Sequence, residues 1–220
     1  MLKRVFDFLL ALFGLILASP IFLLVSVLIK LNDGSHVFYC QDRVGKDAKI
    51  FKGLQFRTMI LDAEKSSGAI QSPENDPRVT KTGKILRASA VDELPQLINI
   101  LNGDMSFVGP RALRPLEIEV GSGIERSVFD YPDFMKRCKV RPGLTGISQI
   151  LLPRDAPREV KFKYDLWYIE NSSFWLDIYL IILSFIISFC GEWEVRKEKI
   201  PFLAGALRAR VEDGFSSDEI

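Results

Sequence analysis

The chain of 220 residues has room for one or two compact domains. Its residues are 48% hydrophobic and 26% charged, ordinary for a globular protein, and a formal net charge of +1 gives no pull toward nucleic acid. Cys40, Cys138 and Cys190 lie far apart and are odd in number, which argues against a disulfide framework or a cysteine metal cage and suits a reducing compartment.

Residues 5–29, VFDFLLALFGLILASPIFLLVSVLI, carry one charge, Asp7; Lys3 and Arg4 precede them and Lys30 follows. A spanning helix needs roughly 20 apolar residues, so the length suffices. The basic start resembles a signal peptide, but the apolar run continues well past Ala18-Ser19-Pro20. Proline lacks a backbone N–H and breaks or kinks a helix, and a neighbouring serine hydroxyl can bond the freed carbonyl. Each arm alone is too short to cross. With cations at both ends, the pattern predicts a helix broken at Ser19-Pro20 that enters and leaves on the cytoplasmic face. A kinked spanning helix is the alternative.

The middle of the chain is polar. Residues 37–40 predict a strand, 41–47 a turn, and Ile50 and Phe51 begin a second strand, which makes a hairpin. Residues 56–65 are expected to be helical and 66–77 to form a loop. The single histidine, His36, sits in the polar linker 32–36, which disfavours a Ser-His or Cys-His mechanism. Helical periodicity returns with Val91, Leu94, Leu97, Ile98 and Leu101 and ends at Asn102-Gly103.

Two adjacent acids, Asp92 and Glu93, open that run. Ser89-Ala-Val-Asp92 matches a capping box, and acids in a first turn complement the helix dipole. The same acids also suit chemistry. Neighbouring helical residues point roughly 100° apart, so one could attack while the other holds a metal. A carboxylate can attack phosphorus, and the reaction then needs cations on the phosphoryl oxygens. Arg87 and Arg111 lie close by in sequence, and arginine makes bidentate phosphate contacts. A divalent ion shared by a carboxylate and diphosphate oxygens is a usual magnesium arrangement.

Toward the C-terminus, residues 178–190, IYLIILSFIISFC, are apolar but shorter than a span. Tyr164, Trp167, Tyr168, Phe174 and Trp175 precede them, and such rings favour the headgroup level. Residues 200–210 could form a basic amphipathic helix lying on a bilayer. Packing in an ordinary core is the alternative for both. The polar tail, 212–220, is expected to be loose.

The ordered set of motifs resembles the bacterial sugar transferases, the monotopic phosphoglycosyl transferases that use polyprenyl phosphate. It comprises Lys3-Arg4-Val5-Phe6-Asp7, Ser19-Pro20, Gln41-x-Arg43-x-Gly45, Phe56-Arg57-Thr58-Met59 and Glu74-Asn75-Asp76-Pro77-Arg78. It continues through Asp92-Glu93-Leu94-Pro95-Gln96-Leu97, Gly103-Asp104-Met105-Ser106-Phe107-Val108-Gly109-Pro110-Arg111, Arg141-Pro142-Gly143-Leu144-Thr145-Gly146 and Tyr164-Asp165. The resemblance implies transfer of a phosphosugar from a UDP-sugar to undecaprenyl phosphate. Asp92 would be the nucleophile and Glu93 would serve a Mg2+ site. UMP would leave first, and the lipid phosphate would then attack the covalent intermediate. Arg87, Arg111 and Arg154 would contact phosphates. Four departures from the family pattern stand out: Ala112 replaces a proline, Gln55 a lysine, Ala90 a Ser or Thr, and Leu152-Pro153-Arg154-Asp155 an Asn-Gly-Arg-Asn loop.

The expected architecture is mainly α with a small β-hairpin (α+β). It divides into a re-entrant membrane helix at 1–31, a cytosolic catalytic domain at 32–177, membrane-associated segments at 178–211 and a tail at 212–220. Expected partners are a UDP-sugar, polyprenyl phosphate and inner-membrane lipids at the cytoplasmic face, with no nucleic acid; a homodimer is compatible with the sequence. Two rivals remain at this point: an inactive membrane scaffold whose acids cap a helix, and an aspartate-dependent membrane phosphatase.

Overall fold

A computed structural model describes residues 2–33, 36–61, 63, 76–118, 125–153, 156–189 and 201–215. The apolar N-terminal run forms one helix, α1 (Leu2–Asp33). It is long and apolar enough to cross a membrane. The expected break is absent, because α1 continues through Pro20. Pro20 has no N–H to give the carbonyl four residues back, that of Ile16. The Ser19 hydroxyl donates to that same carbonyl at 2.8 Å, so the orphaned acceptor is satisfied within the helix.

The hairpin forms as expected but is longer. β1 (Phe38–Val44) pairs antiparallel with β2 (Ile50–Phe56) around a short 3-10 turn. The helix expected over 56–65 does not form at its start: Phe56 ends β2, and Met59 makes a bridge with Val79. The strand pairing outcompetes a weak helical pattern. After α2 (Lys81–Ala88) and α3 (Gln96–Asn102) come two further strand pairs that the sequence did not announce. β3 (Ser106–Val108) pairs in parallel with β6 (Gly143–Thr145), and β4 (Leu116–Ile118) pairs antiparallel with β5 (Glu125–Ser127). Strands this short carry no readable alternation. The remaining helices among the described residues are α4 (Phe134–Arg137), α5 (Ile147–Leu151), α6 (Arg158–Asn171), α7 (Phe174–Phe189) and α8 (Pro201–Glu212).

The main core joins Ala11 of α1, Leu97 and Ile100 of α3, Phe107 and Val108 of β3, Ile147, Trp167, Leu180 and Val211. A second cluster joins Val25 and Ile29 of α1 to Phe56 and Leu86. Both halves of α1 therefore lie against the same polar domain. Its start is bolted there: Lys3 Nζ meets Asp177 Oδ2 at 2.5 Å, and Arg4 donates to the Ile100 and Leu101 carbonyls at the end of α3. Asp7, the lone acid of the run, is buried and accepts from the Phe107 N–H at 3.2 Å. The opposite face of α1 stays bare, with Leu9, Ile16, Leu23 and Leu24 each about 60% exposed or more.

The aromatic cluster before α7 divides. Tyr164, Trp167 and Tyr168 are core residues rather than headgroup anchors, since α6 turns that face inward; Trp175, by contrast, is 78% exposed. α7 buries Leu180, Leu183 and Ile187 and exposes Ile182 and Phe185. α8 turns Leu207 and Val211 into the core and leaves Arg208 and Arg210 outside. The tail from 216 lies outside the described residues.

Candidate active site

The acid pair does not open a long helix. Val91–Glu93 form a separate 3-10 turn, and α3 begins only at Gln96. Ser89 is not a forward cap either. Its hydroxyl donates back to the Ile85 carbonyl at 2.9 Å, closing α2. Ala90 then takes a left-handed conformation, φ 55°, which reverses the chain and presents the acids at a corner. The capping-box pattern fails because a non-glycine left-handed residue separates the two elements, a feature that costs energy and marks sites held by their surroundings.

Arg87 reaches this corner from the last turn of α2. Its Nε donates to the Thr58 hydroxyl at 2.9 Å. The contact needs α2 to lie directly on the strand end, and Gly83 permits it: a Cβ there would sit 2.0 Å from the Thr58 carbonyl oxygen. Burial lowers the Arg87 pKa, and the Asp92 carboxylate opposes that. Asp76 and Arg78 stand in the same electrostatic neighbourhood, paired at 2.7 Å.

Arg111 approaches from the opposite side, on the turn that follows β3. Its guanidinium meets Glu93 Oε1 at 2.9 Å. The turn is held by close backbone contact, since a Cβ on Gly143 would lie 2.1 Å from the Gly109 nitrogen. Beneath it, Arg137 donates to the Arg111 carbonyl at 3.1 Å and pairs with Asp165 at 2.7 Å; Asp165 also accepts from Ser148 Oγ at 2.6 Å. Arg137 and Asp165 are almost wholly buried. Removing one member of such a pair leaves an uncompensated charge, at a typical cost of about 3–5 kcal/mol. Asp165→Ala is therefore expected to lower thermal stability by that order; an unchanged melting temperature would contradict the account.

The structure thus brings together Asp92, Glu93, Arg87 and Arg111. Arg154 lies outside the described residues. Sequence reasoning missed Thr58, Arg137, Asp165 and Ser148 as supports, although Thr58 and Asp165 lie in quoted motifs. Electrostatics corrects a further expectation. Acids in a first turn were expected to complement a helix dipole, but Asp92 lies outside α3, and burial and the neighbouring Glu93 carboxylate push it up to about 7, against the pull of Arg87 and Arg111. Two repelling carboxylates fit a cation, and among the described residues no group of three or more metal-ligating side chains exists. A Mg2+ held by one or two carboxylates and completed by diphosphate oxygens and water suits this donor set.

The wider sequence agrees with this chemistry. The family model described as bacterial sugar transferase matches residues 1–191. The exopolysaccharide production protein ExoY of Rhizobium meliloti is 38% identical over 195 residues, covering 82% of each chain. The UDP-glucose:undecaprenyl-phosphate glucose-1-phosphate transferase of Klebsiella pneumoniae is 38% identical over 195 residues, covering 86% of this chain and 40% of its own. The UDP-N-acetylgalactosamine-undecaprenyl-phosphate N-acetylgalactosaminephosphotransferase of Aeromonas hydrophila is 37% identical over 183 residues, covering 82% and 42%. With acids and arginines suited to phosphoryl transfer and a family match over most of its length, the chain is a transferase and belongs to the bacterial sugar transferase family.

Proposed function

We propose that this protein transfers a phosphosugar from a UDP-sugar to a polyprenyl phosphate such as undecaprenyl phosphate, releasing UMP, as a first membrane step of glycoconjugate assembly. The observation that carries the reading is the convergence of Arg87 and Arg111 on the Asp92-Glu93 corner. A carboxylate oxygen of Asp92 forms a bond to the sugar-linked phosphorus. The phosphoanhydride bond breaks, and UMP leaves with the electron pair. An oxygen of the lipid phosphate then attacks the same phosphorus and frees the Asp92 carboxylate. Arg87 and Arg111 offset the phosphoryl charge in both steps. Glu93, with Asp92 beside it, would hold Mg2+, which when bound neutralises diphosphate charge.

The test compares UMP release from a panel of UDP-sugars with and without polyprenyl phosphate. Lipid-dependent turnover supports transfer. Equal turnover with water alone would favour a phosphatase, and no release from any donor would favour a scaffold.

Losing one charge-stabilising donor typically costs ~2.7–4 kcal/mol in the transition state. Arg87→Ala and Arg111→Ala are each expected to lower kcat by about 10²–10³-fold on that basis. The half-exposed Arg111 pair with Glu93 would be worth only about 0–1 kcal/mol as a mere surface bridge. Wild-type kinetics in both variants would reduce them to that role.

The membrane reading follows from the two attachments of α1. A spanning helix carries one end about 30 Å away across the hydrocarbon core. Here Lys3 and Arg4 at one end, and Val25 and Ile29 near the other, contact the same polar domain. Such a helix lies along one side of the membrane, with its bare face in lipid and both ends on the cytoplasmic side. Cysteines placed at Leu2 and Lys30 are expected to be labelled from the cytoplasmic face alone; labelling from opposite faces would sink this topology.

A further inference from the structure

Beside the acid pair lies a cleft that the mechanism above does not use. It is lined by Arg43, Gly53 and Gln55 of the hairpin, Gln96 at the start of α3, and Arg111 and Ala112. Arg111 is common to both places, because its guanidinium reaches Glu93. The strand register sets Tyr39 opposite Gln55, Gln41 opposite Gly53 and Arg43 opposite Phe51, so one face of the hairpin carries both glutamines and Arg43, flanked by Tyr39 and Phe51, which do not line the cleft. Glycine in the middle of a strand weakens it and often marks a close approach by a ligand. At Gly53 an added Cβ would come 2.9 Å from Arg43 Cγ and would fill the floor of the cleft.

The amides of Gln55 and Gln96 are uncommitted, whereas that of Gln41 donates to the Tyr39 hydroxyl at 3.3 Å. Among the described residues, the side chains of Gln55 and Gln96 make no hydrogen bond, and the buried Oε1 of Gln41 accepts none. A primary amide offers both donors and an acceptor, which matches neighbouring hydroxyls on a ring. Among the described residues, no aromatic side chain and no carboxylate lines the cleft. A nucleobase gains much of its affinity by stacking on rings, and the described residues lining this cleft offer none. Distance along the donor points the same way. The sugar is joined directly to the phosphorus that Asp92 attacks, whereas the base lies beyond the second phosphate and the ribose.

We propose that this cleft is the subsite for the neutral, hydroxyl-rich sugar ring of the donor, and that Gln55 and Gln96 select among sugars through its hydroxyls. The proposal rests on the transfer reading above.

The experiment is calorimetric binding of UDP and of a panel of neutral UDP-hexoses to the full chain purified in detergent. At least one UDP-hexose is expected to bind about 10-fold tighter than UDP, a gain within reach of one or two added hydrogen bonds. Gln55→Ala is expected to remove most of that gain and leave UDP affinity unchanged, which also shows that the variant is folded. Gly53→Ala, which fills the floor, and Gln96→Ala are expected to do the same in part. The proposal is overturned if no UDP-hexose outbinds UDP, if the gain survives in all three variants, or if UDP affinity falls as far as UDP-hexose affinity does. UMP release is measured in parallel. Sugar-dependent binding without release would sink the transfer reading while leaving the subsite standing.

Discussion

Asp92→Asn is expected to abolish transfer, with a loss of at least about 10⁴-fold in kcat, the scale seen when a nucleophile is removed. Asparagine keeps the size of the side chain but cannot form the acyl phosphate. Intact-protein mass spectrometry after incubation with donor and magnesium, without lipid, is expected to show an added phosphosugar on the Asp92 peptide of the wild type and none on the variant. If UMP appears only when lipid phosphate is present and no adduct is trapped, transfer is a single step and Asp92 acts as a base. The variant also has a stability signature. The folded protein holds the Asp92 proton up to about 7, whereas the ordinary carboxylate value is 3.8. Between those values the folded state binds more protons than the unfolded chain, so stability falls as pH rises through that window. Without metal, Asp92→Asn is therefore expected to be the more stable protein at pH 8, by on the order of 2–4 kcal/mol, and to lose that advantage by about pH 4. A wild type that is equally stable at pH 5 and pH 8 would show that the corner does not strain its carboxylate.

What could be read in the sequence was decided by how local its cause is. The apolar run of α1, the β1–β2 hairpin and the glycine end of α3 depend on neighbours within a few residues, and all three form. The pairing of Ser19 with the carbonyl that Pro20 frees is equally local, and it is what keeps the helix from breaking. The failures lie where distant contacts win. Tyr164, Trp167 and Tyr168 resemble an interfacial belt, yet α6 spends them on the core. Ser89 and Asp92 stand at capping-box spacing, yet the left-handed Ala90 places them in different elements. The acids and the arginines of the site could be named because their chemistry is specific. Their supports could not, since Arg137 reaches the Arg111 carbonyl from 26 residues away and Asp165 reaches Arg137 from a further 28.

Glu93→Gln is expected to fold normally and to lose turnover by at least about 10²-fold, the scale of removing one electrostatic stabiliser. Folding survives because the Glu93–Arg111 pair is partly exposed, at 20% and 44%, and such pairs contribute about 0–1 kcal/mol. Turnover falls because a hard divalent cation wants a charged oxygen, which glutamine lacks. Chelation of the wild type is expected to give a comparable loss, reversed by added magnesium, while the variant gains nothing from magnesium. Turnover in the variant that still depends on metal would remove Glu93 from the ion's ligands. A second readout separates this role from simple positioning of Arg111. Glu93 is, after burial, the main cause that raises Asp92, so deleting its charge lets Asp92 ionise more readily. In metal-free buffer, carbon-13 NMR of labelled aspartate is expected to show Asp92 losing its proton below about 7 in the variant. Glu93→Gln would then hold a more readily ionised nucleophile and yet be the slower enzyme, an outcome that charge on Asp92 alone cannot produce and that loss of the cation does.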